Sequence, residues 1–116
     1  MSEITTYNYQ KIRDLEESLI NYIEIHDNLG AKIIRIPITD PRITHIYNRL
    51  LQEQTYTILI SGSNVDITIP CTIGGSALFE TAISTDVLSS EVTTTFQINA
   101  TVDTCTITHK LQIPTV

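Results

Sequence analysis

From Thr55 onward the sequence stops repeating with the period of a helix and alternates instead. In "VDITIPCTI" (65–73) Val65, Ile67, Ile69, Cys71 and Ile73 take every second place. In "TTTFQINATVDTCTITHKLQI" (93–113) Phe96, Ile98, Ala100 and Val102 fall on even numbers, whereas Cys105, Ile107, Leu111 and Ile113 fall on odd ones. Successive strand side chains point to opposite faces, so a chain with this pattern is confined to strands buried on one side. The switch of parity requires a turn or bulge near Asp103-Thr104. "YTILI" and "VDITIPCTI" flank "SGSN" (61–64), which reads as a hairpin turn, and Gly74–Ser76 reads as the next turn, followed by a strand around 78–84 and a connection over "STDVLSSE" (84–91). About five strands in series with no helix between them predict an antiparallel sheet folded into a sandwich or open barrel.

The first half reads differently. In "YNYQKIRDLEESLINYIEIHDNLG" (7–30) Ile12, Leu15, Leu19, Tyr22, Ile23 and His26 follow helical spacing, which predicts one amphipathic helix that Thr6 or Asn8 caps and Gly30 ends. The spacing is also heptad-like, but two heptads favour packing on the chain's own sheet over a coiled coil. "AKIIRIPI" (31–38) is β-branched and alternating, hence a strand, and Pro37, which has no N–H to give a ladder, places it at a sheet edge or ends it there. "TDPRITHIYNRLLQEQ" (39–54) offers Asp40 as N-cap, Pro41 at the first helical position, and Ile43, Ile46, Tyr47, Leu50 and Leu51 on one face, predicting a second helix from Pro41 to Gln52. The predicted fold is therefore α+β within one 116-residue domain: a helix-strand-helix portion over 1–53, then the antiparallel β portion over 54–116.

Threonine accounts for the outward positions of the β portion, because it suits strand backbone and keeps a face wettable. It does not account for the missing charge. Six of the seven Lys and Arg precede Thr55, and Lys110 stands alone among the later residues with five acids. Natural sheets use charge to discourage edge-to-edge association, so a hydroxyl-rich, weakly charged surface points to a face that lies against other protein. A net charge of -6 with no basic patch excludes nucleic acid as a partner. No window is long and apolar enough to span a membrane, and "MSEITTYNYQ" lacks the regions of a signal peptide, which predicts a cytoplasmic rather than a secreted product.

No motif carries chemistry. His26, His45 and His109 lack metal-ligand spacing, and the odd parity of His109 places it beside the core as a satisfied inner histidine. Cys71 and Cys105 lie in strand-like runs and read as buried thiols in preference to a disulfide. Asp14, Glu16, Glu17, Glu24 and Asp27 read as solvated helix surface, and Ser61–Ser63 and Gly74–Ser76 match neither a phosphate loop nor a nucleophile elbow. No catalytic residue, metal or cofactor is expected.

In the Ile/Thr-rich alternation of "VDITIPCTI" and "TTTFQINATVDTCTITHKLQI" after a short helical lead, the chain resembles small virion proteins of tailed bacteriophages: capsid-decoration, neck, tail or fibre components. The resemblance covers about the last 60 residues loosely and transfers no functional residue. It implies a non-enzymatic structural protein of the virion, assembled in the host cytoplasm, that works as an oligomer through contacts with other subunits. The residues expected to make those contacts are Ile12, Leu15, Leu19 and Tyr22 on the first helix and Lys32, Ile34 and Ile36 on the edge strand, the latter by packing or by β-augmentation. The alternative is an immunoglobulin-like sandwich binding carbohydrate or peptide through the tips at 61–64, 74–76 and 84–91, although a chain with no Trp and two Phe offers little for stacking on sugars.

Overall fold

The computed structural model describes residues 6–48, 50–51 and 53–112. Among them lie one helix, α1 (Thr6–Leu19), and seven strands: β1 (Tyr22–Asp27), β2 (Lys32–Pro37), β3 (Ile43–Asn48), β4 (Glu53–Ser61), β5 (Cys71–Phe79), β6 (Ser89–Ile98) and β7 (Thr104–Gln112). They form two antiparallel sheets, sheet A in the order β2-β1-β5-β6 and sheet B in the order β3-β4-β7. One isoleucine-rich core draws on both: Ile23, Ile25, Ile34, Ile36, Ile73, Leu78 and Ile98 from sheet A, and Tyr56, Ile58, Ile60, Cys105 and Ile107 from sheet B. Each large aliphatic side chain buried there contributes on the order of 1.5–3 kcal/mol.

The first predicted helix stops ten residues short, at Leu19, and its expected second half is β1. In "YIEIHD" the helical spacing competes with a two-residue one, and pairing decides: Ile23 and Ile25 sit opposite Ile36 and Ile34 of β2 and opposite Leu78 and Ser76 of β5. Gly30 does take the left-handed conformation (φ +84°), but in the β1–β2 turn, where Asp27 Oδ1 accepts from the N–H groups of Leu29 and Ala31.

Where the second helix is predicted, over Pro41–Gln52, the described residues hold a strand, β3, from Ile43 to Asn48; Arg49 and Gln52 lie outside the described residues. Asp40 caps as its type suggests, accepting from Arg42 N–H at 2.9 Å, yet the cap closes a turn after which Ile43, His45 and Tyr47 pair with Ile58, Tyr56 and Gln54 of β4. Tertiary pairing here outweighs a local start signal, and Leu50 and Leu51 of the expected helical face are left exposed.

"SGSN" does turn, with Asn64 N–H donating to the carbonyl of Ser61, but the strands around it do not pair, because β4 belongs to sheet B and β5 to sheet A. The crossing at 62–70 is irregular, so Val65 is exposed although Ile67 is buried. Gly74–Ser76 is no turn either; it lies inside β5, where a Cβ on Gly74 would stand 2.6 Å from the Asn28 Cα. The expected strand at 78–84 ends at Phe79. The edge position of β2 and the break before Thr104 agree with the sequence reading: residues 99–103 form the turn, Ile98 is buried before it, and Cys105, Ile107 and His109 are buried after it, but Phe96, Ala100 and Val102, expected on the inward face with Ile98, are exposed.

Candidate functional site

Helix α1 is docked opposite to the expectation from its pattern. Arg13 is only 2% exposed and Ile20 is fully buried, while Gln10 Nε2 donates to the Tyr47 hydroxyl at 2.9 Å. On the other side Ile12 is 38% exposed and Leu15 62% exposed, with Leu19 half-buried. The apolar stripe thus faces outward and the inner contact is polar. Of the remaining expected contact residues, Tyr22 is half-buried on β1 and Lys32 is exposed at the start of β2, whereas Ile34 and Ile36 belong to the core and cannot face a partner. What β2 offers a neighbour is the backbone of its free edge.

A second exposed surface is the outer face of sheet B. Thr44, Thr57 and Thr108 stand in one row across its three strands, and Thr104, Thr106 and the exposed Leu59 and Ile46 extend it. Among the described residues of these strands, charge enters this face toward one end, at Glu53 and Lys110.

A third feature is the seam between the sheets. β6 is the last strand of sheet A and β7 the last of sheet B, and the turn at 99–103 joins them. Between them is a cavity of about 290 Å³ lined by Thr93, Thr94, Thr95, Phe96 and Thr104–Thr108. The threonine run of β6 is a bulge: Phe96 pairs with Ile73 and Val92 with Gly75, so residues 93–95 face the single Gly74 of β5.

Three polar clusters join neighbouring segments, and the first two are buried. His109, with no exposed surface, is hydrogen-bonded through Nδ1 to Ser76 Oγ (2.7 Å) and through Nε2 to Ser89 Oγ (2.9 Å). A neutral imidazole has one donor and one acceptor nitrogen, so the two hydroxyls satisfy it completely. Glu91 stands on the same side and accepts from Lys110 N–H rather than from the ring. A serine–histidine contact also begins a nucleophilic triad, but here the second nitrogen meets a hydroxyl instead of a carboxylate and both Ser76 and His109 are sealed from solvent, so the group works as a latch between sheets.

On the outer face of sheet A, Glu24 accepts from Arg35 Nε at 2.6 Å and pairs with His26 Nε2 at 2.6 Å; Arg35 also lies 3.7 Å over the Phe79 ring and donates to the carbonyls of Thr81 and Ser84. The expectation that Glu24 is solvated surface is therefore corrected: it is 6% exposed. Arg42 bridges Asp40 and Asp66, and its hydrogen bonds hold both carboxyls below their ordinary range.

Cys71 and Cys105 are free thiols. Burial pushes both up in pKa, and for Cys105 the nearness of Cys71 adds to this, so both are protonated and poorly nucleophilic. Among the described residues no group of three or more His, Cys, Asp and Glu side chains converges as a metal site, and no helix is long and apolar enough to cross a membrane.

Burial lowers the pKa of His109, with Glu91 opposing in part. The unfolded chain therefore takes up a proton near pH 6.5 that the native latch refuses. Stability is expected to be full above about pH 6.5 and to decline as the pH drops below it. The loss from Asp40 and Asp66, whose native values are depressed, begins only near or below their ordinary pKa of 3.8. Urea titrations at a series of pH values check this; His109→Gln should flatten the upper decline and leave the acid one, and an unchanged profile would contradict the buried neutral ring.

Comparisons with protein-family models, with curated proteins and with solved structures find no match.

Proposed function

We propose that this chain is a non-enzymatic structural protein that works by contacts with further copies of itself in a repeated array. The observation that carries the reading is the reversed helix: Ile12 and Leu15 are turned to solvent, with Leu19 half-buried beside them, while Arg13 is buried beneath. A helix normally sinks its apolar side into its own domain, and the opposite choice makes sense where a neighbour covers it. Magnitudes favour an array over a pair. Covering a few such side chains returns on the order of 1.5–3 kcal/mol each, whereas bringing two proteins together costs an estimated 4–15 kcal/mol in lost freedom. A stripe this small holds subunits only when symmetry repeats it alongside other contacts.

The threonine face of sheet B and the free edges of β2 and β3 supply such further contacts. In this reading the two sheets form an open-sided sandwich whose faces and edges are shared with neighbours, and the resemblance to tailed-phage proteins makes a virion component the preferred setting. The alternative of recognition through loop tips has less support, because the segment 74–76 on which it partly relies is the interior of β5.

Light scattering of the purified protein over a concentration series is expected to give masses above the monomer. Leu15→Glu, at an exposed site, should return the protein to monomer and change stability by no more than about 0.5 kcal/mol. A protein that stays monomeric up to its solubility limit would overturn the reading.

A further inference from the structure

The seam between β6 and β7 is built like a strand position with the strand left out. Lys110 N–H donates to Glu91 Oε2 at 3.0 Å, so it points away from β4 toward the free edge of β7. Strand alternation then turns the N–H and C=O groups of Thr108, Thr106 and Thr104 to the same edge. Ser61, opposite Thr104, has the matching parity, since its N–H goes to Asn64 Oδ1 and not to β7. On the other wall, one residue of β5, Gly74, stands opposite three of β6. Gly74 has one N–H and one C=O and cannot satisfy residues 93–95 together.

The slot is closed at both ends. At one end Ser89 and Glu91 of β6 hold His109 and Lys110 of β7. At the other, Asp103 Oδ2 accepts from the N–H groups of Asn99 and Ala100 and fixes the turn. The free length is that of Thr104–Thr108, which at about 3.3 Å per residue admits some five extended residues. Ile107 and Phe96 give the lining apolar surface, threonine hydroxyls give most of the rest, and among the described residues the lining holds no Asp, Glu, Lys, Arg or His. A volume of about 290 Å³ is at the bottom of the range for small-molecule pockets, roughly 300–1,000 Å³.

We propose that this slot takes a short extended segment of a neighbouring protein subunit, about five residues long, uncharged and rich in Val, Ile or Thr, which hydrogen-bonds to the backbone edges of β6 and β7 and joins the two sheets. Backbone pairing supplies affinity and the uncharged lining selects the sequence. The inference rests on the reading of the chain as an assembly protein and names what a neighbour inserts. It also explains why the edge of β7 carries threonines where lysine would ordinarily guard it.

The test is titration of the ¹⁵N-labelled full chain with the capped peptide acetyl-Thr-Val-Thr-Val-Thr-amide. Amide shifts are expected to move at residues 93–96 and 104–108, and hydrogen exchange of the Thr106 and Thr108 amides to slow by about tenfold or more at saturation. Acetyl-Thr-Pro-Thr-Pro-Thr-amide, which lacks two donors, and acetyl-Thr-Asp-Thr-Asp-Thr-amide, which carries charge, are expected not to bind. Thr94→Lys, an exposed substitution in the bulge, should abolish binding with an unchanged melting temperature. No shifts with the Val peptide, equal binding of the Pro peptide, or full binding by a folded Thr94→Lys protein would each overturn the proposal. The two readings fail separately: oligomers that Leu15→Glu disperses, beside a slot that ignores the peptide, would leave the array standing and remove the slot.

Discussion

Glu24→Ala is expected to cost about 3 kcal/mol of unfolding free energy, the low end of the range for removing one partner of a buried ion pair. The carboxylate is the shared acceptor of Arg35 Nε and His26 Nε2, and Glu24, on β1 between β2 and β5, is only 6% exposed. Alanine leaves the Arg35 guanidinium, 13% exposed, with two carbonyls and the Phe79 ring but no counter-charge. Those remaining partners are the reason to expect the low end. Urea denaturation followed by circular dichroism measures the loss. The double variant Glu24→Leu with Arg35→Met should recover most of it, since apolar replacement of both members of a buried pair is commonly neutral or better. A single variant within about 0.5 kcal/mol of the parent, the span of ordinary surface changes, would show that Glu24 is solvated after all.

That cluster marks where sequence reasoning ends. Strand alternation is a local property, so the strands at 32–37 and 104–112, the part of β6 after Thr93 and the parity switch before Thr104 were legible in the order of residues, whereas the first residues of β6, Ser89–Glu91, fell in the expected connection. Partnership is not local. Nothing in "YTILI" and "VDITIPCTI" announces that one belongs to sheet B and the other leads into sheet A, because a turn of "SGSN" type serves a hairpin and a crossing equally well. The Asp40-Pro41 start signal was physically right, in that Asp40 does cap, but a cap fixes only its own turn, and Ile43, His45 and Tyr47 were recruited by β4. Similarly, the stripe of Ile12, Leu15 and Leu19 was read correctly as apolar and one-sided, yet no periodicity says whether the subunit or its neighbour covers it. Of the seven residues expected at a contact, Ile34 and Ile36 went to the core because an edge strand still has an inner face. The slot between β6 and β7 was missed. Its one sequence signal was the run of three threonines, where strict alternation lapses just before Phe96.

Gly62→Ala is expected to be about as damaging as losing Glu24, near 3 kcal/mol, for a purely steric reason. A Cβ at this position would stand 2.1 Å from the carbonyl oxygen of Ala100 and 2.9 Å from its carbonyl carbon, and backbone cannot rotate aside as a side chain can. Gly62 N–H donates to the carbonyl of Asp103 at 2.9 Å, so the turn after β4 and the turn between β6 and β7 are pressed together. Asp103 holds the second turn rigid through Asn99 and Ala100. Either that hydrogen bond breaks or the 99–103 turn swings away, and the second course loosens the closed end of the slot. Thermal melts should therefore show a large drop for Gly62→Ala. The comparison is Gly30→Ala, where nothing lies within 4 Å and only the left-handed backbone penalises a side chain, by about 1–2 kcal/mol. If crowding is the cause, the Gly62 variant loses more than the Gly30 variant, and the amides of residues 99–103 shift with it; a Gly62→Ala protein as stable as the parent would mean that these two turns do not touch in solution.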